Sequence, residues 1–495
     1  MRYGWLIVAV FAARFLVTAI VYPQVDGDLS WQRRLGESIL RGGGIPHALG
    51  TETFTAAGAP WLPHEWLFSV GAALGASGVG WVLFSGTVAG CAIVALALSG
   101  LWAERRGASP KAIAVCVAFA GVALFMSFGV RVQVVAWPLL VGFIMLLECE
   151  GPAAWWALLV AALWSNVHGS AALAPALAAI VAAGAWLDAR RITPRVARAT
   201  AIAFGSLLAI CVNPLGWKLP AYALMMMHSP MKSNISEWQA TSIGLWSFAY
   251  GALPLLAICV AFGVARIAGG RVAGWDRVLV FAVMSWLLLG AARNVALFAL
   301  VAAPAAAIAL TQRVAWFARD EAPDDPRHAW IPRYGLPSIA LGLALVLAYA
   351  LLRGEARTKD VLARSALDAL ARVPGEHRVL CTDFAWCGLL VGRPHDRVFI
   401  DGRADPYPQR VWDAYLEITR LRPAWRETLA AYRVNTIVAA RGGPLDQALG
   451  AAGGWRAVFG DSRYRLWLLG PHGGLADTHR DGVEPASGPA RDFPT

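Results

Sequence analysis

The chain has 495 residues, 58% of them hydrophobic, with a mean hydropathy of +0.53 and a formal net charge of +11. That apolar content excludes a water-soluble globule and requires a polytopic membrane protein. The basic balance does not point to nucleic acid, because no soluble stretch carries a basic stripe with interleaved aromatic residues.

The first apolar run, 3–22, has only Arg2 before it, contains Arg14 and lacks a small-residue cleavage site, so it reads as a retained span and not a signal peptide. Further runs able to cross about 30 Å of hydrocarbon lie near 78–101, 111–129, 132–148, 153–168, 170–187, 199–212, 246–265, 277–292, 294–311 and 334–352, about eleven spans in all. Basic residues collect in alternate loops: Arg105, Arg106 and Lys111; Arg190, Arg191, Arg195 and Arg198; Arg266, Arg271 and Arg277. Short basic loops stay in the cytoplasm. With the N-terminus inside, the opposite face receives a long first loop (23–66), Arg131, His168, the loop 213–245, Arg293 and everything after Arg353. The expected setting is a cytoplasmic membrane.

The transmembrane part therefore runs over 1–352. Beyond it the composition becomes mixed, and 353–470 reads as a small extracytoplasmic α/β domain. VLARSALDALARV has helical spacing, HRVLC, RVFID and NTIVAA read as short buried strands, and RAVFG with YRLWLL reads as a hairpin around Asp461-Ser462. The tail 471–495, rich in Gly, Pro, Asp and His, has too little apolar content to pack. Of seven cysteines, five sit in or beside spans as small apolar residues. Cys381 and Cys387 close a disulfide if a turn brings their Cα atoms within about 7 Å; the alternative is two free, buried thiols.

Polar residues at a membrane edge need a partner or a purpose. On this topology Asp26 and Asp28 after the first span, His64 and Glu65 at the end of the first loop, Arg131 and Gln133, Asn166 and His168, Glu237, and Arg293-Asn294 all fall in one outer layer. Arginines there can hold an anionic lipid headgroup while a carboxylate activates an acceptor or binds a metal. Bland readings stand beside these. Asp28 serves equally as the cap of a surface helix with Trp31, Leu35 and Ile39 toward lipid. Pro63-His64-Glu65-Trp66 is also an ordinary interfacial helix start, Arg131 and Arg293 can snorkel to water, and His168 can satisfy backbone groups between spans. Trp238 beside Glu237 suits sugar stacking or interfacial anchoring. Asp401-Gly402-Arg403-Ala404-Asp405 suits a tight turn with an internal ion pair, or a flap over the acceptor.

The first span, an Asp-x-Asp motif in a long first loop, many further spans and an extracytoplasmic C-terminal domain resemble the GT-C class of glycosyltransferases. The segments DLSWQRRLGESILRGGGIP, FTAAGAPWLPHEW, WSNVHGS, NPLGWKLPAY, ISEWQ and VFIDGRADPYP resemble a bacterial group near the protein mannosyltransferases and lipid A glycosyltransferases. The resemblance implies a mainly α, polytopic fold and inverting sugar transfer from a polyprenyl-phosphate donor at the outer face. It places the first-loop acid at Asp26 or Asp28, either as general base on the acceptor hydroxyl or as a ligand helping to place a divalent metal, Mg or Mn. Arg131 and Arg293 are the candidates to stabilise the leaving lipid phosphate. His64, Glu65, His168 and Glu237 are further substrate-binding candidates, and Asp28 with His64 is the candidate metal pair. Neither a Walker motif nor a GxGxxG after a strand is present, which suits a lipid-linked donor and no nucleotide cofactor. The acceptor, whether glycan, lipid or protein, stays open. The alternatives are a transporter or lipid flippase and a non-catalytic envelope-assembly scaffold.

Overall fold

The computed structural model describes residues 2–21, 27–76, 78–227, 234–268, 274–318, 348 and 364–470. Asp26, most of the expected span 334–352 and the tail 471–495 lie outside them. Helices occupy the expected positions up to residue 313: α1 (Arg2–Leu16, continued by a π turn Val17–Val21), α2 (Asp28–Ser38), α3 (Trp66–Leu74), α4 (Gly78–Arg105), α5 (Pro110–Ser127), α6 (Val132–Glu148), α7 (Trp156–Val167), α8 (Leu173–Ala189), α9 (Pro194–Ala209), α10 (Lys218–Met227), α11 (Leu253–Ala268), α12 (Trp275–Gly290) and α13 (Val295–Arg313). Among the described residues, five stretches are long and apolar enough to cross a membrane: Gly4–Val21, Gly78–Arg105, Pro110–Ser127, Gly169–Ala189 and Ala292–Arg313. The last is the central post, with 72% of its apolar window buried against 33–44% for the other four.

Local chemistry sets several boundaries. Ser109 and Thr193 cap α5 and α9 by accepting from Ala112 N and Val196 N, and each is followed by a proline at the first helical position, where its missing N–H costs nothing. Tight helix contacts rest on small residues, as membrane packing requires. A Cβ on Gly184 of α8 would lie 2.1 Å from the backbone nitrogen of Asp276 in α12, and one on Gly121 of α5 would meet the Phe11 ring of α1 at 2.2 Å. At one end of the bundle Glu148 accepts from Arg106 Nε (3.1 Å) and Trp102 Nε1 (2.7 Å), Asp276 accepts from Arg195 Nη2 (2.6 Å), and Asp188 accepts from Trp275 N (3.1 Å).

The C-terminal region forms a five-stranded sheet in the order β2-β1-β3-β5-β4, with β1 (His377–Cys381), β2 (Asp396–Val398), β3 (Thr436–Ala440), β4 (Trp455–Gly460) and β5 (Tyr464–Leu469). β1 runs parallel to both β2 and β3, while β5 pairs antiparallel with β3 and β4. The β4–β5 hairpin turns at Asp461, whose Oδ1 accepts from Arg463 N and Tyr464 N, each at 2.7 Å. Cys381 and Cys387 are joined in a disulfide, their Cα atoms 5.9 Å apart, fixing the end of β1 to the helical turn Phe384–Cys387.

The first loop is not independent of this sheet. Val398 N donates to Glu52 O (2.8 Å) and Phe54 N to Val398 O (3.3 Å), so the loop adds a short parallel bridge at Thr53 to the exposed side of β2. Trp31, Leu35, Leu49 and Trp61 of the loop share a hydrophobic core with Phe399, Ile400, Tyr407, Trp412 and Tyr415. This corrects the surface-helix reading of α2. Gly27 precedes the helix without a capping side chain, and Trp31 and Leu35 are buried against the C-terminal region instead of lipid, with Ile39 packed at the margin of the same core.

Candidate functional site

The polar outer layer is assembled from the two ends of the first loop, the turns between helices and one turn of the C-terminal region. Gly36 of α2 lies so close to α3 that a Cβ would come within 1.9 Å of Ser69 O, which brings Gln32 of α2 over the start of α3. There Gln32 Nε2 donates to Glu65 Oε2. The other carboxylate oxygen, Oε1, faces His64 Nε2 at 3.5 Å and His168 Nε2 at 3.9 Å. Trp66 Nε1 donates to Asn166 Oδ1 (3.2 Å), tying the start of α3 to the end of α7, and Gly169 leaves room for the His64 ring, 3.1 Å from where its Cβ would be.

His168 does satisfy backbone, and its role does not stop there. Its Nδ1 accepts from Ser170 N (3.1 Å) and lies 2.7 Å from Ser170 Oγ. The neutral ring therefore carries its proton on Nε2, directed toward Glu65. Burial opposes charge on both His64 and Glu65, but each is the other's compensation. Glu65, with help from Asp405, raises the His64 pKa above its ordinary value, and the two histidines with Gln32 hold the Glu65 carboxyl below its own. Each of the two groups thus favours the charged form of the other.

Asp405 enters from the C-terminal region, and the preceding turn explains how. Asp401, fully buried, accepts from Arg403 N (3.0 Å), Nε (2.9 Å) and Nη2 (2.6 Å), while Arg403 Nη1 reaches Glu52 Oε1 at 2.7 Å and its guanidinium lies 5.0 Å from the Trp61 ring centre. Ala404 adopts a left-handed backbone, φ 56°, held by Trp412 Nε1 donating to its carbonyl at 3.3 Å. That twist sends Asp405 back toward the membrane domain, where its carboxyl feels His64 and the Tyr222 hydroxyl of α10. Tyr222 and His64 lie with ring centres 5.0 Å apart and planes 34° from parallel. Burial raises the Asp405 carboxyl to about 6.

Beside this group Glu237 stands between two arginines, 3.3 Å from Arg131 Nη1 and 3.9 Å from Arg293 Nη1, and the Arg293 guanidinium lies 4.6 Å from the Trp238 ring centre. The charge of Arg293 is also felt at Tyr222, so the arginine pair and the His64–Glu65–Asp405 group form one layer. Among the described residues, Glu237 thus ties the two guanidiniums together.

The structure thus brings together His64, Glu65 and His168, and places Arg131, Arg293 and Glu237 alongside. Asp28 meets the C-terminal turn. Its Oδ1 accepts from Trp31 Nε1 (3.1 Å) and would lie 2.0 Å from a Cβ on Gly402, so the C-terminal turn presses directly on it. The pairing of Asp28 with His64 as metal ligands gains no support: among the described residues, no group of three or more His, Cys, Asp or Glu side chains is placed to hold a metal ion. His64 is engaged by Glu65 and, through Nδ1, by Leu62 O at 3.2 Å. Sequence reading named Asp405 only within a turn suited to an internal ion pair or a flap over the acceptor, and missed Tyr222 and Gln32. The only available signals were the second acid closing the Asp401–Asp405 turn and the tyrosine ending NPLGWKLPAY, and neither names its neighbours.

No family model matches the chain, and no curated protein matches it by sequence. Solved structures do match its fold. AglB from Archaeoglobus fulgidus, an oligosaccharyltransferase in complex with an inhibitory peptide and a dolichol-phosphate, superposes with a TM-score of 0.54 at 10% identity over 88% of this chain and 69% of that one. ArnT from Cupriavidus metallidurans, bound to undecaprenyl phosphate, superposes with a TM-score of 0.51 at 14% identity over 94% of this chain and 98% of that one. Both are GT-C glycosyltransferases. The expected likeness is borne out at the level of the fold: this is a multi-pass membrane protein built on the GT-C architecture.

Proposed function

We propose that the chain is a membrane glycosyltransferase that moves a sugar from a polyprenyl-phosphate donor to an acceptor hydroxyl at the extracytoplasmic face of a bacterial cytoplasmic membrane, with inversion at the anomeric carbon. The observation that carries this reading is the coincidence of a GT-C fold with one polar layer, where titratable side chains adjoin two arginines that share Glu237. In this reading the chain has eleven spans with its N-terminus in the cytoplasm. The Arg106–Glu148 face then lies inside, while the first loop and the C-terminal sheet lie outside.

The arrangement assigns tasks by chemistry. Arg131 and Arg293 hold the lipid phosphate and take up charge as it leaves, a contribution that grows in a site shielded from water. The acceptor oxygen forms a bond to the anomeric carbon, the bond from that carbon to the phosphate oxygen breaks, and its electron pair departs with the polyprenyl phosphate. A first-loop acid, Asp26 or Asp28, takes the proton of the acceptor hydroxyl. Glu65, anchored by Gln32 and flanked by His64 and His168, keeps the centre of the layer ionised and ordered.

The test is release of polyprenyl phosphate from a panel of labelled polyprenyl-phosphate sugars by the purified full chain with envelope extract, comparing wild type with Asp26→Asn and Asp28→Asn. Turnover by the wild type that disappears in one of these variants, with folding intact, supports the reading and identifies the acid. No turnover across the panel, together with movement of a lipid or solute by vesicles containing the protein, replaces it with transport.

A further inference from the structure

We infer that the groove along α8 and α9 is a binding site for an anionic phospholipid of the surrounding membrane, with an acyl chain in the groove and the headgroup phosphate at Arg190 and Arg191. The inference needs only the membrane setting of the bundle and is independent of the glycosyltransferase reading.

A cavity, a charge and a location lead to it. The groove encloses about 600 Å³ over 175–186 of α8 and 192–207 of α9, a length of about 16 Å at the helical rise of 1.5 Å per residue. Ala179 and Ala183 keep its floor low, and Trp186, Phe204 and Leu207 form walls that are 45%, 69% and 48% exposed. Among the described lining residues Thr200 is the one with a hydroxyl. A volume of this size accepts a small-molecule ligand, and walls without polar groups select an alkyl chain, because a polar ligand atom there would lose its hydrogen bonds to water.

The charge stands at the Trp186 end. There α8 stops at Arg190, whose left-handed backbone (φ 51°) turns the chain toward α9 and whose guanidinium lies 5.9 Å from the ring centre of Trp186, at the mouth of the groove. Arg191 follows and is likewise exposed. Nearby acids are already engaged: Asp276 accepts from Arg195 Nη2 (2.6 Å) and Asp188 from Trp275 N (3.1 Å), whereas among the described residues Arg190 and Arg191 carry no ion pair. An apolar trench that ends at two guanidiniums matches a phosphodiester attached to hydrocarbon. A zwitterionic lipid brings a cation of its own, which these arginines repel.

The location separates this lipid from the proposed donor. α12 begins beside the mouth, where Gly184 of α8 meets Asp276. It ends next to Arg293, about 22 Å away at 1.5 Å per residue. The mouth therefore belongs to the Arg106 face, across the bundle from the arginines assigned to the donor phosphate.

The test is native mass spectrometry of the delipidated, detergent-purified full chain titrated with phosphatidylglycerol or phosphatidylcholine. The wild type is expected to retain one phosphatidylglycerol with an affinity about thirtyfold above that for phosphatidylcholine, or about fivefold per arginine. Arg190→Gln combined with Arg191→Gln is expected to abolish this preference, while Arg190→Lys combined with Arg191→Lys keeps most of it and so separates lost charge from lost folding. Ala183→Phe, which fills the groove, is expected to release the retained lipid. Equal retention of both lipids by the wild type, the mark of annular lipid only, overturns the inference; so does an undiminished preference in the glutamine variant or undiminished retention in Ala183→Phe. Displacement of phosphatidylglycerol by an equal concentration of polyprenyl phosphate also overturns it, assigning the groove to the donor lipid. A dimer that Ala183→Phe splits does the same in favour of a second copy of the chain.

Discussion

The two polar faces of the helical bundle handle buried charge in opposite ways. At the Arg106 face, Glu148 meets Arg106 and Trp102, Asp276 meets Arg195, and Asp188 meets a backbone N–H. These partners are guanidiniums, an indole and a backbone amide, whose charge does not change near neutral pH. At the other face, Glu65 is held by two imidazoles and a carboxamide, Asp405 adjoins a phenol, and Glu237 is shared between two arginines. The first arrangement closes helix ends. The second sets His64 against Glu65 and raises Asp405 to about 6, two groups that titrate near neutral pH, which is the pattern expected where chemistry takes place. The faces also differ in construction: the first is built within neighbouring spans, and the second needs a separate sheet to complete it.

The largest effect expected on this contrast comes from the support of the second face. Arg403→Met leaves Asp401 buried without its counter-charge and is expected to lower stability by about 3–5 kcal/mol, read as a drop in the melting temperature of the purified protein. A loss of under about 1 kcal/mol would mean that the turn does not depend on this network. Next comes Glu65→Gln, which keeps the shape but removes the charge facing His64 and His168; transfer is expected to fall about a hundredfold with a smaller drop in melting temperature than Arg403→Met gives. Arg106→Gln, on the opposite face, sharpens the comparison by reversing that signature: a cost of about 1–3 kcal/mol from the stranded Glu148, with turnover of the folded protein unaltered. Equal loss of turnover in the two variants would erase the distinction between the faces.

The smallest effect is on the pH dependence of stability. Asp405 has a folded pKa raised to about 6, so its protonated form favours the fold. That contribution is full below its unfolded value, about 3.9, and fades as pH rises through about 6. Glu65 has the opposite sign, its contribution being present above its unfolded value and lost as pH falls through its lowered folded value. Between pH 4.5 and 7.5 the melting temperature of Asp405→Asn should therefore decline less than that of the wild type. Parallel curves for the two proteins would show that Asp405 does not titrate within the fold.

Much of the architecture was legible from period and composition. Apolar runs long enough to span hydrocarbon appear as α1, α4, α5, α8 and α13, and the short buried runs HRVLC, NTIVAA and YRLWLL appear as β1, β3 and β5. His64, Glu65, His168, Arg131, Arg293 and Glu237 were nameable because charge at a membrane edge is costly wherever it occurs. Their partners were not nameable. Reading α2 as a lipid-facing surface helix failed because periodicity identifies an apolar face without saying what covers it. Trp31 and Leu35 point at a sheet whose residues lie far along the chain.

The sequence by itself determined the membrane class, the helices and strands, and the acids and bases available, since each follows from local composition and spacing. Only the tertiary structure decided which of them meet. Thr55 hydrogen bonds to the carbonyl of Phe399, 344 residues away, and that seam fixes the turn bearing Asp405 over Glu65 and Tyr222. The reason is physical. Local preferences act over a few residues of backbone, whereas a site completed by two regions depends on edge pairing, buried ion pairs and close glycine contacts that exist only once both have folded.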